Sequence, residues 1–329
     1  MSGKMDCYGV TDVGRVRDAN EDQFLIADLN KSMQVHQTSL GLDHQTRLFG
    51  NSQGKLLLVA DGMGGQAAGE RASLIAVDTI TTTLLNTIHW LFRLDDDGEG
   101  DFIEHLKSAL HQCQRQIQQD VQKVPRRAGM GTTLTMAYVV WPRLFVIHAG
   151  DSRCYLHRGG QLDQVTRDHT MAQQFLESGA LDAQEARRSR WSHMLWNVIG
   201  GSSEKLFAEA YKAELRLGDV LLLCTDGLTN LVGDERIVQM LDSQRPAAET
   251  CRRLVEAANN AGGQDNITAI VARFLDTSEG DALADEAEEP IPSEADTVIE
   301  PAPAEIHAAT SEQALADPVP TVVSRLPDE

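Results

Sequence analysis

Acidic residues stand at the ends of several short apolar runs, where a buried strand would stop. The run at residues 56–60 is followed by Asp61 and a glycine, and the run before Asp226 repeats that pattern. Asp151 follows a third apolar run, and Asp265 precedes a fourth. Each Asp beside a glycine is compatible with ordinary turn chemistry. The repetition favours a second interpretation, in which the strand ends converge and bring the carboxylates together.

Converging carboxylates repel one another, so they require a cation. Oxygen ligands without His or Cys at metal-binding spacing select hard cations such as Mg²⁺ or Mn²⁺ over zinc. A pair of such ions lowers the pKa of a bridging water and clamps a phosphoryl group for in-line attack. Arg17 stands near Glu21 and Asp22, and a guanidinium binds phosphate oxygens in bidentate fashion. These residue types therefore predict two-metal hydrolysis of a phosphate ester.

The acidic charge of the chain is concentrated near its C-terminus. The 329 residues include 49 acidic and 29 basic side chains, for a net charge of −20. Residues 277–329 hold 14 of the acidic residues, one Arg and seven of the ten prolines, a composition that cannot bury a core. We predict a catalytic domain at 1–276 and a disordered acidic tail at 277–329. A solubilising role is favoured for this tail over docking or regulation, and the acidity excludes nucleic acid as a partner.

The five cysteines are widely spaced and form no C-x-x-C pair, which argues against a zinc site and a disulfide framework. No apolar run approaches the ~20 residues of a membrane span, and the N-terminus lacks the apolar segment of a signal peptide. We therefore expect a cytoplasmic protein without a membrane partner.

The elements that must position the acidic residues alternate between nine candidate strands and five candidate helices. The tripeptide Trp141-Pro142-Arg143 joins two of the strands as a hairpin, which favours antiparallel pairing. Amphipathic helices would then cover the sheet faces, so the pattern predicts an α+β sandwich rather than a doubly wound parallel fold. Residues 30–54 and 179–203 lack a periodic pattern and are predicted to be long irregular segments.

The order of the motifs resembles that of the metal-dependent protein phosphatases, the type 2C Ser/Thr phosphatases. The resemblance covers residues 6–274 and rests on six motifs in register. They are Thr11-Asp12-Val13-Gly14 with Arg17 and Asn20-Glu21-Asp22, Asp61-Gly62-Met63-Gly64-Gly65, Gly129-Met130-Gly131-Thr132-Thr133, Ala149-Gly150-Asp151-Ser152-Arg153, Thr225-Asp226-Gly227 and Asp265-Asn266-Ile267-Thr268. The resemblance implies two central antiparallel β-sheets packed as a sandwich and flanked by helices, in α-β-β-α layers.

The resemblance also implies metal ligands. Asp61 would bridge two cations, Mg²⁺ or Mn²⁺, and the backbone carbonyl of Gly62 would be a further ligand. Asp226 and Asp265 would complete the shell of one cation. Asp151, together with Asp226, resembles the carboxylates that hold a third, weaker cation in bacterial members.

Three further residues and one segment acquire roles from the resemblance. Glu21 would serve the second cation directly or through water, and Asp22 would lie beside the metals. Arg17 would hold the substrate phosphate. Residues 179–203, called the flap segment below, correspond to a variable loop that influences access of the substrate to the cleft.

Two positions depart from the pattern of the family. Many eukaryotic members carry His where this chain has Met63, and that His is a proposed acid for the leaving group. Met has no proton to donate, so protonation would fall to metal-bound water or another group. The Met form is common among bacterial members, which indicates a bacterial-type enzyme. Asn230 stands where some members place an Asp, which leaves less negative charge for a third cation.

The expected activity is hydrolysis of phosphoserine and phosphothreonine in proteins by direct attack of a bridging hydroxide, with no covalent phosphoenzyme. The expected partners are phosphoproteins made by a Ser/Thr kinase, and we expect a monomer. One alternative is a catalytically silent interaction module, which would show the loss of ligand carboxylates. Another is a phosphatase of small phosphoesters, which the sequence leaves open.

Several polar residues near the motifs are interpreted as structural. Asp168 is placed to cap a helix, His169 to make a hydrogen bond at the start of that helix, and His148 to lie in the core. For Thr132 and Thr133 a structural turn is favoured over a phosphate cradle.

Overall fold

A computed structural model of the protein describes most of the predicted catalytic domain. The described residues are 4–34, 47–64, 68–87, 98–201 and 205–275. The predicted tail at 277–329 lies outside them, so its disorder and the boundary at residue 276 stay predictions. No helix in the described ranges combines the length and the apolar character that a membrane crossing requires.

The described residues form thirteen strands and seven α-helices. The strands are β1 (Lys4–Asp12), β2 (Gln23–Gln34), β3 (Arg47–Ala60), β4 (Gly62–Met63), β5 (Gly131–Thr132), β6 (Leu134–Val140), β7 (Arg143–Ala149), β8 (Arg153–Arg158), β9 (Gln161–Gln164), β10 (Ile199–Gly200), β11 (Glu209–Glu214), β12 (Val220–Cys224) and β13 (Ile267–Leu275). The helices are α1 (Ala68–Thr87), α2 (Gly98–Lys123), α3 (Met171–Glu177), α4 (Ala183–Arg188), α5 (Asp226–Thr229), α6 (Asp234–Asp242) and α7 (Ala247–Asn260).

Two five-stranded antiparallel sheets make up the centre of the fold. The first sheet has the order β1-β13-β12-β8-β9, and the second has the order β11-β7-β6-β3-β2. A small third sheet, β10-β5-β4, pairs short strands beside the ends of the long ones. The predicted hairpin is confirmed, because β6 and β7 pair from Leu134 with Ala149 to Val140 with Arg143.

Three buried apolar clusters separate the layers. Leu57 and Val59 of β3 lie in the cluster between the two sheets, together with Leu221 and Leu223 of β12. The alternate residues of β3 belong to a second cluster with α1 and α2. A third cluster joins the outer face of the first sheet to α6 and α7. Since both faces of β3 and β12 are buried, continuous apolar runs are the expected sequence for these strands. The predicted α-β-β-α sandwich is confirmed.

The prediction that 179–203 is irregular is wrong in part, because the flap segment contains α4 and β10. Helix α4 begins with a capping box. The Asp182 carboxylate accepts from the backbone N–H groups of Gln184 and Glu185, each at 2.8 Å, and Glu185 Oε2 accepts from the Asp182 N–H at 2.9 Å. This reciprocal pair satisfies donors that a short helix otherwise leaves unbonded.

The prediction of an irregular segment at 30–54 is also wrong in part. Strand β2 continues to Gln34 and β3 begins at Arg47, with Asn30 opposite Gln53 and Ser32 opposite Phe49. Backbone pairing with a neighbouring strand extends both strands into polar sequence, where side-chain alternation gives little signal. Residues 35–46 lie outside the described part of the chain.

Candidate metal centre

Strand ends from both sheets carry the predicted acidic residues to one region of the fold. Asp61 follows β3, Asp226 begins α5 just after β12, and Asp265 precedes β13. These residues, Asp22 and Asp151 interact electrostatically. Burial raises the pKa of Asp61 well above its ordinary value, and the four other carboxylates raise it further.

The backbone of Asp61 is fixed by two threonines that follow the glycine turn. The Asp61 N–H donates to Thr133 Oγ1 at 3.0 Å, and the Asp61 carbonyl accepts from the Thr133 N–H and from Thr132 Oγ1, both at 2.9 Å. Thr133 Oγ1 also bonds to Ser152 Oγ at 2.7 Å. Both threonines are fully buried. Their hydroxyls therefore make hydrogen bonds within the protein, as the prediction of a structural turn implies.

Asp22 is the least exposed of the predicted site acids, at 3%. Its Oδ2 accepts from Thr225 Oγ1 at 2.9 Å and from Thr268 Oγ1 at 2.7 Å. Its Oδ1 is buried without a hydrogen-bond partner in the described part of the chain. Burial raises the pKa of Asp22 to about 7 against the two threonine bonds, with further increases from Asp226 and Asp265. Sequence reasoning assigned no role to Thr225 or Thr268, although both stand within the matched motifs.

Asp226 and Asp151 are also held without a basic partner in ion-pair contact among the described residues. Asp226 Oδ2 accepts from Asn230 Nδ2 at 3.0 Å, whereas Asp226 Oδ1 is buried and has no partner there. Burial, and then the Asp265 charge, raise the pKa of Asp226. Asp151 is 8% exposed, and burial followed by the Asp226 charge raises its pKa. Asn230, which replaces an acid found in some relatives, is thus a donor to the Asp226 carboxylate.

Glu21 and Gly62 meet the start of α1 at close range. The Gly62 N–H donates to the Glu21 carbonyl at 3.2 Å. A Cβ on Gly62 would lie 2.3 Å from the Gly69 carbonyl oxygen and 2.6 Å from that of Glu21, so only glycine fits. Burial raises the pKa of the Glu21 carboxyl, which accepts from the backbone N–H of Glu70. This packing brings the Glu21 carboxylate to the same edge as Asp61.

Arg17 lies at the open side of the cluster and pairs with Asp265. The distance from Arg17 Nη2 to Asp265 Oδ2 is 2.7 Å, and the two side chains are 54% and 37% exposed. The loop that carries Arg17 is held by Asn266, whose Nδ2 donates to the carbonyls of Val13 and Ala19 at 3.0 and 2.9 Å. Sequence reasoning missed Asn266, although its position after Asp265 in a matched motif was a usable signal.

The donor set fits a hard divalent cation. Among the described residues, one carboxylate oxygen of Asp22 and one of Asp226 are buried without a hydrogen-bond partner. Two nearby Arg side chains are already paired with other acids, Arg17 with Asp265 and Arg153 with Asp168. Oxygen donors of this kind suit Mg²⁺ or Mn²⁺. Within the described ranges, no three acidic, His or Cys side chains gather closely enough around one point to form a ready-made metal cage.

The prediction that Asp168 caps a helix is wrong. Thr170 caps α3 instead, accepting from the Gln173 N–H at 3.1 Å. Asp168 binds the Arg153 guanidinium through both carboxylate oxygens, with a shortest distance of 2.6 Å. Arg153 is a partner on another strand, so the competition for this carboxylate is a tertiary effect that local sequence does not reveal.

Comparison with known proteins identifies one family over most of the chain. A family model described as Protein phosphatase 2C matches residues 38–272. The Serine/threonine protein phosphatase PstP of Mycobacterium tuberculosis is 37% identical over 227 residues, which are 69% of this chain and 41% of that protein. The chain thus spans less than half of that relative. Protein phosphatase PhpP of Streptococcus pneumoniae is 32% identical over 268 residues, which are 81% of this chain and 96% of that protein.

A solved structure with the same fold contains metal. It is the catalytic domain of the serine threonine protein phosphatase PstP in complex with two manganese ions. It superposes with a TM-score of 0.64 at 31% identity, and the match covers 83% of this chain and 99% of that one.

Proposed function

Because this chain belongs to the protein phosphatase 2C family, as its motif order predicts, we propose that it hydrolyses phosphoserine and phosphothreonine in proteins with the help of Mg²⁺ or Mn²⁺. The observation that carries the proposal is a set of four acids, of which Asp22 and Asp151 are buried and Asp61 and Asp226 are partly buried. None of the four has a Lys or Arg in ion-pair contact among the described residues. Buried charges of one sign are costly unless a cation compensates them. The manganese complex of a family member supports the same choice of ion.

The residues would divide the work as their positions allow. Asp61, Asp226, Asp265, Glu21 and the Gly62 carbonyl would hold two cations. When bound, the two cations supply the acidity that activates water for direct attack on phosphorus, and they polarise the phosphoryl oxygens. Asp22 would lie beside the metals as a further carboxylate. Asp151 and Asp226 would together hold a third, weaker ion.

Arg17 is placed to receive the phosphate. Its guanidinium lies at the solvent side of the carboxylates and is about half exposed. If Asp265 serves as a metal ligand, the Arg17 guanidinium would be free to bind two phosphate oxygens in a bidentate manner. Met63 is partly buried and has no proton to donate, so the leaving-group proton comes from elsewhere.

The proposal extends to partners and setting. We expect phosphoproteins made by a Ser/Thr kinase as substrates, a monomeric enzyme, and a cytoplasmic setting. The five cysteines are all free thiols and four of them are buried, which suits a reducing compartment. Comparing kcat/KM on phosphopeptides and on small phosphate esters separates a protein phosphatase from a phosphatase of small molecules.

The deciding experiment is hydrolysis of p-nitrophenyl phosphate with and without Mn²⁺. We expect activity that requires Mn²⁺ or Mg²⁺, and a loss of at least about 10³-fold in kcat/KM for Asp61→Asn and for Asp226→Asn, because metal stabilisation is worth several kcal/mol. Asp219→Asn is the matched control, since Asp219 is a buried acid at the opposite end of β12.

Two outcomes would contradict the proposal. Full activity of both Asp61→Asn and Asp226→Asn would show that these carboxylates are not metal ligands. A wild-type protein that is inactive with either ion, and that shows no heat of Mn²⁺ binding in calorimetry, would favour a silent interaction module.

A further inference from the structure

His169 connects the loop that carries Asp151 to the flap segment. The imidazole is fully buried. The Gly150 N–H donates to His169 Nδ1 at 3.0 Å, and the His169 N–H donates back to the Gly150 carbonyl at 2.7 Å. Gly150 has a φ of +117°, and a Cβ there would lie 2.5 Å from the Thr133 Cβ. The residue before Asp151 is therefore held on one side by Thr133 and on the other by His169.

The flap segment returns to the same imidazole. The Trp196 N–H donates to the His169 carbonyl at 3.0 Å, and Asn197 Nδ2 donates to His169 Nδ1 at 2.8 Å. Asn197 is itself fixed to Phe207 by two bonds, 2.7 Å from Nδ2 to the carbonyl and 2.9 Å from the Phe207 N–H to Oδ1. The Trp196 and His169 rings lie 4.9 Å apart between centroids. This part of the flap segment is thus fastened to one residue, to the backbone of His169 through Trp196 and to its imidazole through Asn197.

The hydrogen bonds fix the tautomer of this histidine. Nδ1 accepts from two N–H groups, so it carries no proton, and the proton of the neutral ring lies on Nε2. Nε2 faces Glu209 Oε2 at 3.4 Å. Only this neutral tautomer can hold Gly150 and Asn197 at the same time.

We propose that His169 is a positioning residue that locks the end of the flap segment to the Asp151 loop, so that flap position and the placement of the Asp151 carboxylate change together. The part of this inference that concerns cation binding rests on the proposed function. The other part, that His169 Nδ1 holds both Gly150 and Asn197 (called the His169 clasp below), is independent of the proposed function.

The first test is amide hydrogen exchange of the metal-free protein at Gly150 and Trp196. His169→Gln moves the polar group away from the Nδ1 position, so the Gly150 N–H loses its acceptor and Asn197 Nδ2 loses its bond to the ring. We expect exchange to rise by at least about tenfold at Gly150, and to rise with it at Trp196 because the released Asn197 no longer holds the adjacent backbone. His169→Asn keeps an acceptor near the Nδ1 position and should retain protection.

Asn197→Asp provides a variant that leaves the histidine in place. The new carboxylate oxygen faces Nδ1, which must then carry a proton to donate to it and can no longer accept from Gly150. We expect faster exchange at Gly150 in this variant as well, so the proposal remains testable if His169→Gln does not fold. Unchanged exchange at Gly150 in Asn197→Asp, or a rise at only one of the two amides in His169→Gln, would overturn it.

His157→Gln is the matched control, because His157 is another buried histidine and lies on β8 against Asp242. It should leave exchange at Gly150 and Trp196 unchanged. An equal rise in this control would mean that general destabilisation explains the result, and the proposal would fail.

The second test is a Mn²⁺ binding isotherm. His169→Gln should weaken the weakest Mn²⁺ site by about tenfold or more, as loss of a group that orients a ligand does, and should have no further effect in an Asp151→Asn background. Equal weakening in both backgrounds would contradict the link to Asp151. If wild type binds no Mn²⁺, the proposed function fails, whereas the exchange experiment still decides the His169 clasp.

Discussion

The two ends of β12 show opposite ways of burying an acid. Asp219 precedes the strand, is 1% exposed, and receives the Arg158 guanidinium through two bonds of 2.8 and 2.6 Å. Asp226 follows the strand, has its Oδ1 buried without a partner in the described part of the protein, and lies among other carboxylates. The five residues of β12, Val220–Cys224, are all buried, and Thr225 separates them from Asp226.

The difference teaches where the fold is built for stability and where it is built for a ligand. Asp219 and Asp168 show that this protein neutralises a buried acid with a bidentate Arg. At the cluster of Asp22, Asp61 and Asp226 it does not do so. A lone buried charge is strongly unfavourable, so the cluster is stabilised either by protons or by cations.

The largest loss of stability is expected at the end of β12 where Arg158 neutralises Asp219. Asp219→Asn leaves the Arg158 guanidinium without its carboxylate, and breaking a buried pair of this kind should lower the free energy of unfolding by about 3 kcal/mol. Urea denaturation of the variant with and without Mn²⁺ measures this loss. Phosphatase activity of the folded fraction should be unchanged.

Asp226→Asn is the matched variant at the other end of the strand. It removes a charge from a repelling cluster, so it should not lower the stability of the metal-free protein. A loss for Asp226→Asn as large as that for Asp219→Asn would break the comparison.

The next effect is a pH dependence that arises from Asp22. Its pKa is raised to about 7 in the folded protein, so the folded state keeps a proton that the unfolded chain has lost. The free energy of unfolding of the metal-free protein should therefore fall as the pH rises from about 4 to 7, and the raised pKa values of Asp61, Asp151 and Asp226 add to that fall.

Asp22→Asn removes this titration while keeping an acceptor for Thr225 and Thr268. Because the pKa of Asp22 is raised from its ordinary value of 3.8 to about 7, the variant should be more stable than wild type above neutral pH by at most about 4 kcal/mol. Thermal unfolding with EDTA, near pH 5 and near pH 8, measures the difference. A wild-type protein that gains stability across this range would refute the assignment.

The smallest stability effect is expected for Arg17→Ala. Its pair with Asp265 is half exposed, and such pairs contribute less than about 1 kcal/mol. If Arg17 binds phosphate, however, KM for a phosphopeptide should rise about tenfold, the equivalent of one charge-assisted contact. Arg17→Lys keeps the charge but not the two parallel N–H donors of the guanidinium, so its KM should lie between those of wild type and Arg17→Ala. An unchanged KM in Arg17→Ala would remove this residue from the phosphate site.

The strand ends at Asp61 and Asp226 could be predicted because a buried strand is a run of apolar residues, and its end is visible as the first carboxylate. The two sheets could be predicted because strands buried on both faces are continuous in hydrophobicity. The same logic fails at β9, whose short run from Gln161 to Gln164 is polar and largely exposed. Helix α4 was missed, although its capping box at Asp182 and Glu185 was a readable local signal.

Contacts between distant parts of the chain could not be predicted. Asp22 and Thr225 are separated by 203 residues, and no local pattern indicates that one hydroxyl serves the other carboxylate. Asp168 had the right position for a helix cap, yet Arg153 on another strand binds it. The sequence identified the residue types of the candidate site, while the fold determined which oxygens have partners.

The pairing of β1 with β13 has a consequence for the timing of synthesis. Lys4 lies opposite Leu275 and Asp12 opposite Ile267, and β13 also separates β1 from β12 in the sheet. A growing chain therefore holds Arg17 and Glu21 from its first moments on the ribosome but cannot complete the first sheet until residue 275 has emerged. We expect chains that stop before Ile267 to lack the proposed phosphatase activity, because the first sheet is incomplete in them.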